Sequence, residues 1–244
     1  MEVQVIYWIL GIIVALIGLN FLYQHWKRNV WFFRDPPRTS LGDSSVIVSP
    51  CDGMLMYVKK IENGQVECEK LGTKIKVEEI SKSDDKPQKG LLFGIYMSPF
   101  DVHFNYAPIS GKITKVVHAQ AKLNLPMVDL WEYIQFCWLR RAVNLLGAKY
   151  QLVNERNTIF IEGSIKVAMV EIADKVVNKI DCFVSENDYI NQGQKVSFIK
   201  RGSQVDLVLW GDDYDVLVRP GLHVTGAETV LARVGHQTGH GAGA

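Results

Sequence analysis

Hydrophobic and polar positions divide this chain into a long apolar segment at the N-terminus and a remainder of short alternating runs. From Val3 to Gln24 there is no charged residue. As a helix, a segment of this length would rise about 33 Å, which is enough to cross a hydrocarbon core of about 30 Å. The pattern predicts a transmembrane helix, and we assign residues 1–30 to a membrane anchor with its juxtamembrane segment.

The charges on either side of the apolar segment predict its orientation. Only Glu2 precedes it, whereas five basic residues follow it: His25, Lys27, Arg28, Arg34 and Arg38. A cleavable signal peptide would carry its positive charge first and end in small residues, and this segment does neither. Because an excess of Lys and Arg holds its side of a span in the cytoplasm, we expect a protein of the cell membrane, single-pass or peripheral, with its main domain on the cytoplasmic side.

Short runs with alternating apolar residues dominate the rest of the chain, as is typical of β-strands. Turn signals at Asp52-Gly53 and Asn63-Gly64 separate the first runs. The spacing predicts a mainly β fold, with one β-rich domain over residues 31–234 that forms a sandwich or a barrel-sandwich-like structure. Residues 235–244 are rich in Gly and Ala, so we expect a flexible tail and no metal site there. The predicted strands are 46–49, 54–61, 65–71, 73–80, 91–97, 102–106, 111–119, 158–163, 165–173, 179–184, 195–200, 204–210, 214–220 and 229–234.

One segment, residues 125–146, departs from the β pattern. Trp131, Ile134, Trp138 and Leu145 recur at helical spacing, which predicts one helix inserted into the β domain. Two interpretations remain open. The helix packs on a sheet, or it lies in the membrane interface with its tryptophans among the lipid headgroups.

Composition excludes some classes of protein. A formal net charge of +1 with 22% charged residues argues against nucleic acid as the principal partner, because phosphate binding needs a concentrated basic surface. Four scattered cysteines without a C-x-x-C pair indicate free thiols in a reducing compartment, and neither a disulfide framework nor a zinc site. The sequence leaves open whether the protein forms a homo-oligomer.

Four polar segments are candidates for chemistry, although each alone is better explained as a turn or a surface loop. Residues 49–53 read SPCDG, and residues 101–103 read DVH. Residues 154–157 read NERN, and a Gly-Ser pair lies at 202–203 within RGSQVDLVL.

In this order, the segments resemble those of phosphatidylserine decarboxylases of the short type. FFRDPPR at 32–38 is similar to the entry motif of that family, and MSPFDVHFNYAPISG at 97–111 is similar to its Asp-x-His stretch. The resemblance runs from about Trp31 to Val234. It implies a phospholipid substrate at a membrane, a serine carboxylate lost as carbon dioxide, and phosphatidylethanolamine as the product.

The resemblance also implies a covalent pyruvoyl cofactor that the chain makes from Ser203. The Ser203 hydroxyl attacks the carbonyl of Gly202, and glycine suits this step because it has no Cβ in the way. Elimination and hydrolysis then yield two chains of one precursor, the second of which begins with the pyruvoyl group. That carbonyl serves as the electron sink for decarboxylation.

Two further site residues follow from matched motif positions. Asp52 is expected to orient or hold a base during self-cleavage, and His103 is expected to transfer protons in cleavage, in decarboxylation, or in both. Tyr106 stands where longer members have a second histidine, so the division of labour stays open. Glu171–Asp174 reads EIAD where Gln-Ile-Ala-Gly is usual, and Arg201 precedes the Gly-Ser pair where an apolar residue is usual.

Two other kinds of protein would fit parts of this sequence. A degenerate relative, tethered to the membrane and acting as a non-catalytic scaffold or lipid-binding module, would share the anchor and the β domain. A biotinyl or lipoyl carrier domain would need a lysine at a hairpin tip between hydrophobic flanks, and the sequence offers no convincing one. Self-cleavage distinguishes the enzyme from the scaffold.

Overall fold

A computed structural model of the chain describes residues 2–68, 72–121, 123–129, 131–132, 135, 145–174, 180–200 and 203–235. The chain divides into two compact units, of which the first ends at Pro36 and the second begins at Pro37. The second unit contains all the strands.

The first unit is built on one long helix. α1 spans Glu2–Trp26 and continues as a π-helical turn over Lys27–Trp31. Large apolar side chains from Val3 to Tyr23 are exposed around the whole helix. By length and composition this helix is able to span a membrane, and an apolar N-terminal helix of this kind is consistent with membrane association.

The second unit consists mainly of short antiparallel strands, as alternating apolar residues predict. Two short helices lie between them, α2 (Val77–Ser81) and α3 (Tyr150–Val153). The strands are β1 (Val46–Val48), β2 (Gly53–Glu62), β3 (Gln65–Cys68), β4 (Thr73–Lys76), β5 (Lys89–Met97), β6 (Phe104–Tyr106), β7 (Gly111–Ala119), β8 (Arg156–Gly163), β9 (Lys166–Ala173), β10 (Ile180–Cys182), β11 (Tyr189–Ile190), β12 (Lys195–Ile199), β13 (Ser203–Trp210), β14 (Tyr214–Val216), β15 (His223–Val224) and β16 (Val230–Val234).

Three sheets make up this unit. The largest has the order β11-β7-β8-β9-β13-β5-β2-β3-β4, and β15 also pairs with β2. The two smaller sheets have the orders β1-β16-β14 and β10-β12-β6. The chain passes from the second small sheet into the middle of the large one between β12 and β13, which is where the predicted cleavage site lies.

The central strands of the large sheet are buried on both faces. On β13, Leu207 packs into one hydrophobic core, and Val208 packs into the core on the opposite face. Residues two apart share a face, so the face that carries Leu207 also carries Ser203. We call it the Ser203 face. Strands buried on both faces read as nearly continuous apolar runs, which is the pattern of β5, β9 and β13.

The prediction of a mainly β fold with an apolar N-terminal helix is confirmed. The hairpin predicted at Asn63-Gly64 is also present. Both turn residues have positive φ angles, and Glu62 pairs with Gln65 across the turn. The strand predicted over 73–80 is wrong in its second half. It ends at Lys76, and α2 follows because Val77 and Ile80, three residues apart, are both buried on one helical face.

The predicted inserted helix at 125–146 falls mostly outside the described residues. Trp131, Glu132 and Gln135 are helical, whereas residues 125–129 are not. Residues 133–134 and 136–144, including Ile134 and Trp138, lie outside the described part of the chain, as does the tail from residue 236.

Candidate active site

Ser203 is the first residue of β13, in the interior of the large sheet. It lies opposite Met97 of β5 on one side and Ala173 of β9 on the other. The side chain is fully buried, and Oγ donates a hydrogen bond to Met97 Sδ at 3.1 Å. A thioether sulfur is a weak hydrogen-bond acceptor, so this bond orients the hydroxyl but holds it only weakly. Gly202, the other half of the predicted cleavage site, lies outside the described residues, as does Arg201.

His103 lies beside the segment that leads into Ser203. Its carbonyl accepts a hydrogen bond from Ile199 N at 3.1 Å, and Met97, earlier on the same stretch, pairs with Ser203. Residues 97–103 therefore hold both ends of the segment from Ile199 to Ser203. The structure thus brings two of the sequence-predicted site residues, His103 and Ser203, into one region.

The hydrogen bonding of His103 defines the tautomer of its ring. The imidazole is fully buried, and its Nδ1 lies 2.9 Å from the carbonyl oxygen of Asp101. A carbonyl oxygen can only accept, so Nδ1 carries a proton. In a neutral ring Nε2 then has the lone pair that a base requires.

Asp52 is held by an arginine that sequence reasoning did not place in the site. Both carboxylate oxygens of Asp52 accept hydrogen bonds from Arg38, at 2.9 and 2.7 Å, and Gly226 N donates to Oδ1 at 2.8 Å. Arg38 belongs to the segment FFRDPPR, which resembles the family's entry motif and whose basic residues also predict the orientation of the span. A paired, largely buried carboxylate of this kind fixes the turn that carries it.

Tyr106, at the position of the family's second histidine, belongs to the same cluster as Asp52. Burial alone would lower the pKa of Arg38, but Asp52 and Tyr106 together raise it. The ring of Tyr106 packs so closely on Gly226 that a Cβ added there would lie 2.7 Å from Tyr106 Cδ2. Arg38, Asp52, Tyr106 and Gly226 therefore form one packed unit, which we call the Arg38 cluster.

The NERN residues connect segments that are distant in sequence. Asn154 bonds the backbone of Leu125 through both atoms of its amide and also reaches the carbonyl of Ala173. Arg156, which is almost fully buried, donates to the carbonyls of Ile80 and Gln151. Without these bonds the backbone carbonyls would be buried with no hydrogen-bond donor, which is energetically unfavourable. The motif therefore supports the site structurally.

Glu171 is a fully buried carboxyl on β9. It accepts hydrogen bonds from Asn105 Nδ2 at 3.0 Å, from Asn157 Nδ2 at 2.9 Å and from Ser197 Oγ. Burial raises the pKa of Glu171 to about 7, although the hydrogen bonds from Ser197, Asn157 and Asn105 act in the opposite direction. A group that holds its proton near neutral pH beside Ser203 is suited to proton transfer. The sequence signals this residue through EIAD at 171–174, which differs from the usual family pattern and puts the charge of Glu171 inside an otherwise apolar run.

A second buried carboxyl, Asp206, lies on the opposite face of β13. It accepts hydrogen bonds from Tyr57 OH at 2.7 Å, Gln204 Nε2 at 2.6 Å and Gln151 Nε2 at 3.1 Å. Burial raises the pKa of Asp206 to about 6 against the effect of these bonds. The network fixes Gln204, whose Oε1 also accepts from Tyr150 OH at 2.6 Å. Because Gln204 follows Ser203 directly, it immobilises the backbone at the predicted site.

His223 and Asp101 form a pair at the edge of this region. His223 Nε2 lies 2.7 Å from Asp101 Oδ1, and Ser98 N donates to Oδ2 at 2.7 Å. Burial alone would raise the pKa of Asp101, but the bonds from His223 and Ser98 outweigh it and lower the pKa. Asp101 therefore stays ionised and holds the turn before His103.

Comparison with known proteins agrees with the geometry. Residues 27–232 match the sequence model of a family described as phosphatidylserine decarboxylase. A protein of Methanocaldococcus jannaschii, named as a candidate archaetidylserine decarboxylase proenzyme, is 34% identical over 83% of this chain and 88% of its own length. The phosphatidylserine decarboxylase proenzymes of Desulfotalea psychrophila and Erythrobacter litoralis are 30% and 28% identical, over 84% and 92% of this chain and 78% and 85% of their own lengths.

The matched family defines the class of this protein as an enzyme, a carboxy-lyase. The match covers far more than half of the chain. The chain belongs to the phosphatidylserine decarboxylase family.

Proposed function

We propose that this protein is a membrane-anchored phosphatidylserine decarboxylase that makes its own pyruvoyl group by cleavage between Gly202 and Ser203. The names of its relatives all specify a serine headgroup, and that headgroup carries the carboxylate that a carboxy-lyase removes. The product is then phosphatidylethanolamine, formed in the membrane where the substrate lies.

The observation that carries this proposal is the position of Ser203. It is a fully buried serine at the start of a central strand, directly after a glycine, and its hydroxyl donates to a thioether, the one acceptor that it has among the described residues. A hydroxyl in the middle of an apolar sheet has little structural value, because an alanine would pack there without a polar group. A reactive role accounts for its presence.

The residues around Ser203 fit the formation of a pyruvoyl group. Oγ of Ser203 attacks the carbonyl carbon of Gly202, and the amide C–N bond breaks, which leaves an ester. Loss of the α-proton of residue 203 then breaks the bond between Cβ and Oγ and releases a chain that ends in Gly202. Addition of water and loss of ammonia convert residue 203 to the pyruvoyl group. Once formed, this group supplies a carbonyl that accepts electrons as the substrate loses carbon dioxide.

His103 and Asp52 have different parts in this scheme. His103, with its lone pair on Nε2, holds and returns a proton during decarboxylation. Asp52 supports self-cleavage through the Arg38 cluster, because its ion pair with Arg38 and its bond to Gly226 N keep the SPCDG turn rigid. Neither role needs a metal ion.

The apolar helix α1 supports the membrane part of the proposal. In water, its exposed apolar side chains would be unfavourable along its whole length, whereas a bilayer accommodates them. The basic residues after the helix favour a cytoplasmic position for the second unit, at the cell membrane. A substrate that stays in the bilayer favours an enzyme that is tethered to it.

Intact-mass analysis of the purified protein tests the proposal. The expected result is two chains, residues 1–202 and a 42-residue chain from 203 to 244 whose N-terminus resists Edman degradation. The Ser203→Ala variant should remain one chain of 27.6 kDa without activity on labelled phosphatidylserine. Wild-type protein that is wholly unsplit yet active would exclude the pyruvoyl scheme, and unsplit, inactive protein would favour the non-catalytic scaffold.

A further inference from the structure

The register of the small sheet β10-β12-β6 defines which of its side chains point outward. Phe104 of β6 lies opposite Phe198 of β12, and Phe198 lies opposite Asp181 of β10. The next residue of β6, Asn105, points inward, since its amide donates to the buried Glu171 of β9. Because neighbouring residues of a strand point to opposite faces, the row of Phe104, Phe198 and Asp181 points away from Glu171.

Three phenylalanine rings form one cluster on this outer face. Phe183 continues the ladder beyond β10, because its N–H donates to the carbonyl of Val196 at 2.8 Å. It lies two positions after Asp181 and therefore points to the same face. The centroid of the Phe104 ring lies 6.4 Å from that of Phe183 and 4.8 Å from that of Phe198. We call these three rings the aromatic face.

The aromatic face is open to solvent on one side. Phe183 is 53% exposed and Phe104 is partly exposed, whereas Phe198 is buried. Single exposed rings are common, but exposed apolar side chains that touch each other mark an interaction site. A fully exposed Phe presents about 200 Å², so Phe183 presents about 100 Å². A stable protein–protein interface needs about 800 Å² per partner, so this face alone is too small to hold a second copy of the chain.

Lysines flank the aromatic face. Lys195 Nζ lies 5.0 Å from the centroid of the Phe104 ring. Lys200 lies two positions after Phe198, and its Nζ neutralises Asp181 Oδ1 at 2.8 Å. Two lysines and one carboxylate leave this rim with a net positive charge. Aromatic rings beside lysines are typical of surfaces that lie in the headgroup layer of an anionic bilayer.

The aromatic face is continuous with the candidate active site. Phe104 directly follows His103, and the carbonyl of His103 accepts a hydrogen bond from the N–H of Ile199, the residue after Phe198. Residues 97–103 also pair with Ser203 through Met97. A bilayer that contacts this face therefore brings its lipid headgroups to the part of the molecule that carries the site residues.

We propose that the aromatic face docks the second unit on an anionic bilayer, an inference that rests on the proposed function because the substrate is a lipid of that bilayer. The rings of Phe104 and Phe183 enter the boundary between headgroups and acyl chains. Lys195 attracts the phosphates and carboxylates of the lipids around them. A bilayer suits so small a face, since it requires no complementary shape. Helix α1 keeps the chain at the membrane, and the aromatic face sets the orientation of the second unit on it.

Photocrosslinking of the full-length chain in vesicles tests what covers this face. The chain carries p-benzoylphenylalanine in place of Phe183, which preserves an aromatic ring, and the vesicles contain phosphatidylserine and phosphatidylcholine with radiolabelled acyl chains. Illumination should attach labelled lipid to position 183. The matched control carries the same group in place of Tyr189 on β11, which is 70% exposed and lies outside the aromatic face. It should take up at least about tenfold less lipid.

Decarboxylation kinetics test whether the face acts on the substrate. The double variant Phe183→Ser, Lys195→Glu should raise the apparent KM, expressed as the surface fraction of phosphatidylserine in vesicles, by about tenfold and leave kcat unchanged. Its activity on short-chain phosphatidylserine dissolved as monomers should equal that of the wild type. High salt should raise the surface KM of the wild type and affect the double variant less, because salt screens the lysine. Tyr189→Ser is the matched control and should behave as the wild type.

The possible results separate this proposal from the proposed function. Crosslinking in the Ser203→Ala chain reads the surface whether or not the enzyme is active, whereas a wild type that decarboxylates neither form of the lipid contradicts the proposed function. Crosslinks from position 183 to a second chain, or equal lipid labelling at positions 183 and 189, overturn the role of the aromatic face. An unchanged surface KM in the double variant overturns it as well. If the double variant also loses activity on the monomeric lipid, its site is damaged and the crosslinks decide.

Discussion

Replacing Glu171 with Gln should stabilise the folded precursor in alkaline solution and change little in acid. Burial raises the pKa of Glu171 from 4.5 to about 7 in the folded chain. Below pH 4.5, the pKa of the group in the unfolded chain, Glu171 is protonated in both the folded and the unfolded state. Burial of the neutral group then carries no penalty from ionisation. As pH rises, the unfolded chain releases its proton first, so stability falls until pH passes about 7. At about 1.4 kcal/mol per pKa unit, the loss is about 3 kcal/mol, and Gln avoids it.

The assay is urea unfolding in detergent, with both variants made in the Ser203→Ala background so that cleavage does not intervene. Glu171→Gln should gain up to about 3 kcal/mol over Glu171 at about pH 8 and nearly nothing at about pH 4. Glu162→Gln, an exposed position on β8, is the matched control and should show no such pH dependence. Equal destabilisation of Glu171→Gln at both pH values would refute the reasoning, because it would mean that Gln cannot replace the hydrogen bonds of the carboxyl.

Three other predictions test the site and the anchor. His103→Ala should lower decarboxylation of labelled phosphatidylserine by at least about a hundredfold and should slow self-cleavage, followed on gels, without abolishing it. Asp52→Ala should impair cleavage more severely on the same gels. A fully split His103→Ala protein with normal turnover would show that the base is misassigned. Arg38→Met should lower the free energy of unfolding, measured by urea unfolding, by about 3 kcal/mol, because Asp52 loses its cation. The double variant Arg38→Met, Asp52→Asn should recover part of this loss. No recovery would contradict the ion-pair account. Protease added to sealed, right-side-out cells should spare the second unit, and digestion from outside would reverse the proposed topology.

Most of the strands were predictable because their apolar runs are long and bounded by turn residues. The runs at 91–97 and 204–210 agree with β5 and β13 to within a few residues at their ends. β11 and β15 are two residues each, which is too short for a periodic signal. The helix α2 was read as a strand because Val77 and Ile80 also fit a run of β-branched residues, and only their burial in tertiary contacts selects the helix.

The motifs predicted candidate site residues, but they did not predict how these residues pair. Ser203 and His103 lie on segments that pair with or bond to each other. The partners of Asp52, however, are Arg38 and Gly226, and the second of these is 174 positions away. Glu171 has partners on β6, β8 and β12. A single sequence shows a charge in an apolar strand, but it does not show which distant donors surround it.

The two faces of β13 meet different requirements of the proposed self-cleavage at Ser203. Self-cleavage needs a fixed backbone, because attack on the Gly202 carbonyl demands alignment, and a hydroxyl that is free to rotate. On one face, Gln204 is fixed by Tyr57, Tyr150 and Asp206, which immobilises the backbone one residue after Ser203. On the other face, the hydroxyl donates to the Met97 sulfur, its one acceptor in the described part of the chain, and can leave this weak acceptor at little cost. Glu171 lies on the same face as Ser203, two positions before Ala173 on β9, and its burial lowers the stability of the folded chain as pH rises to neutral.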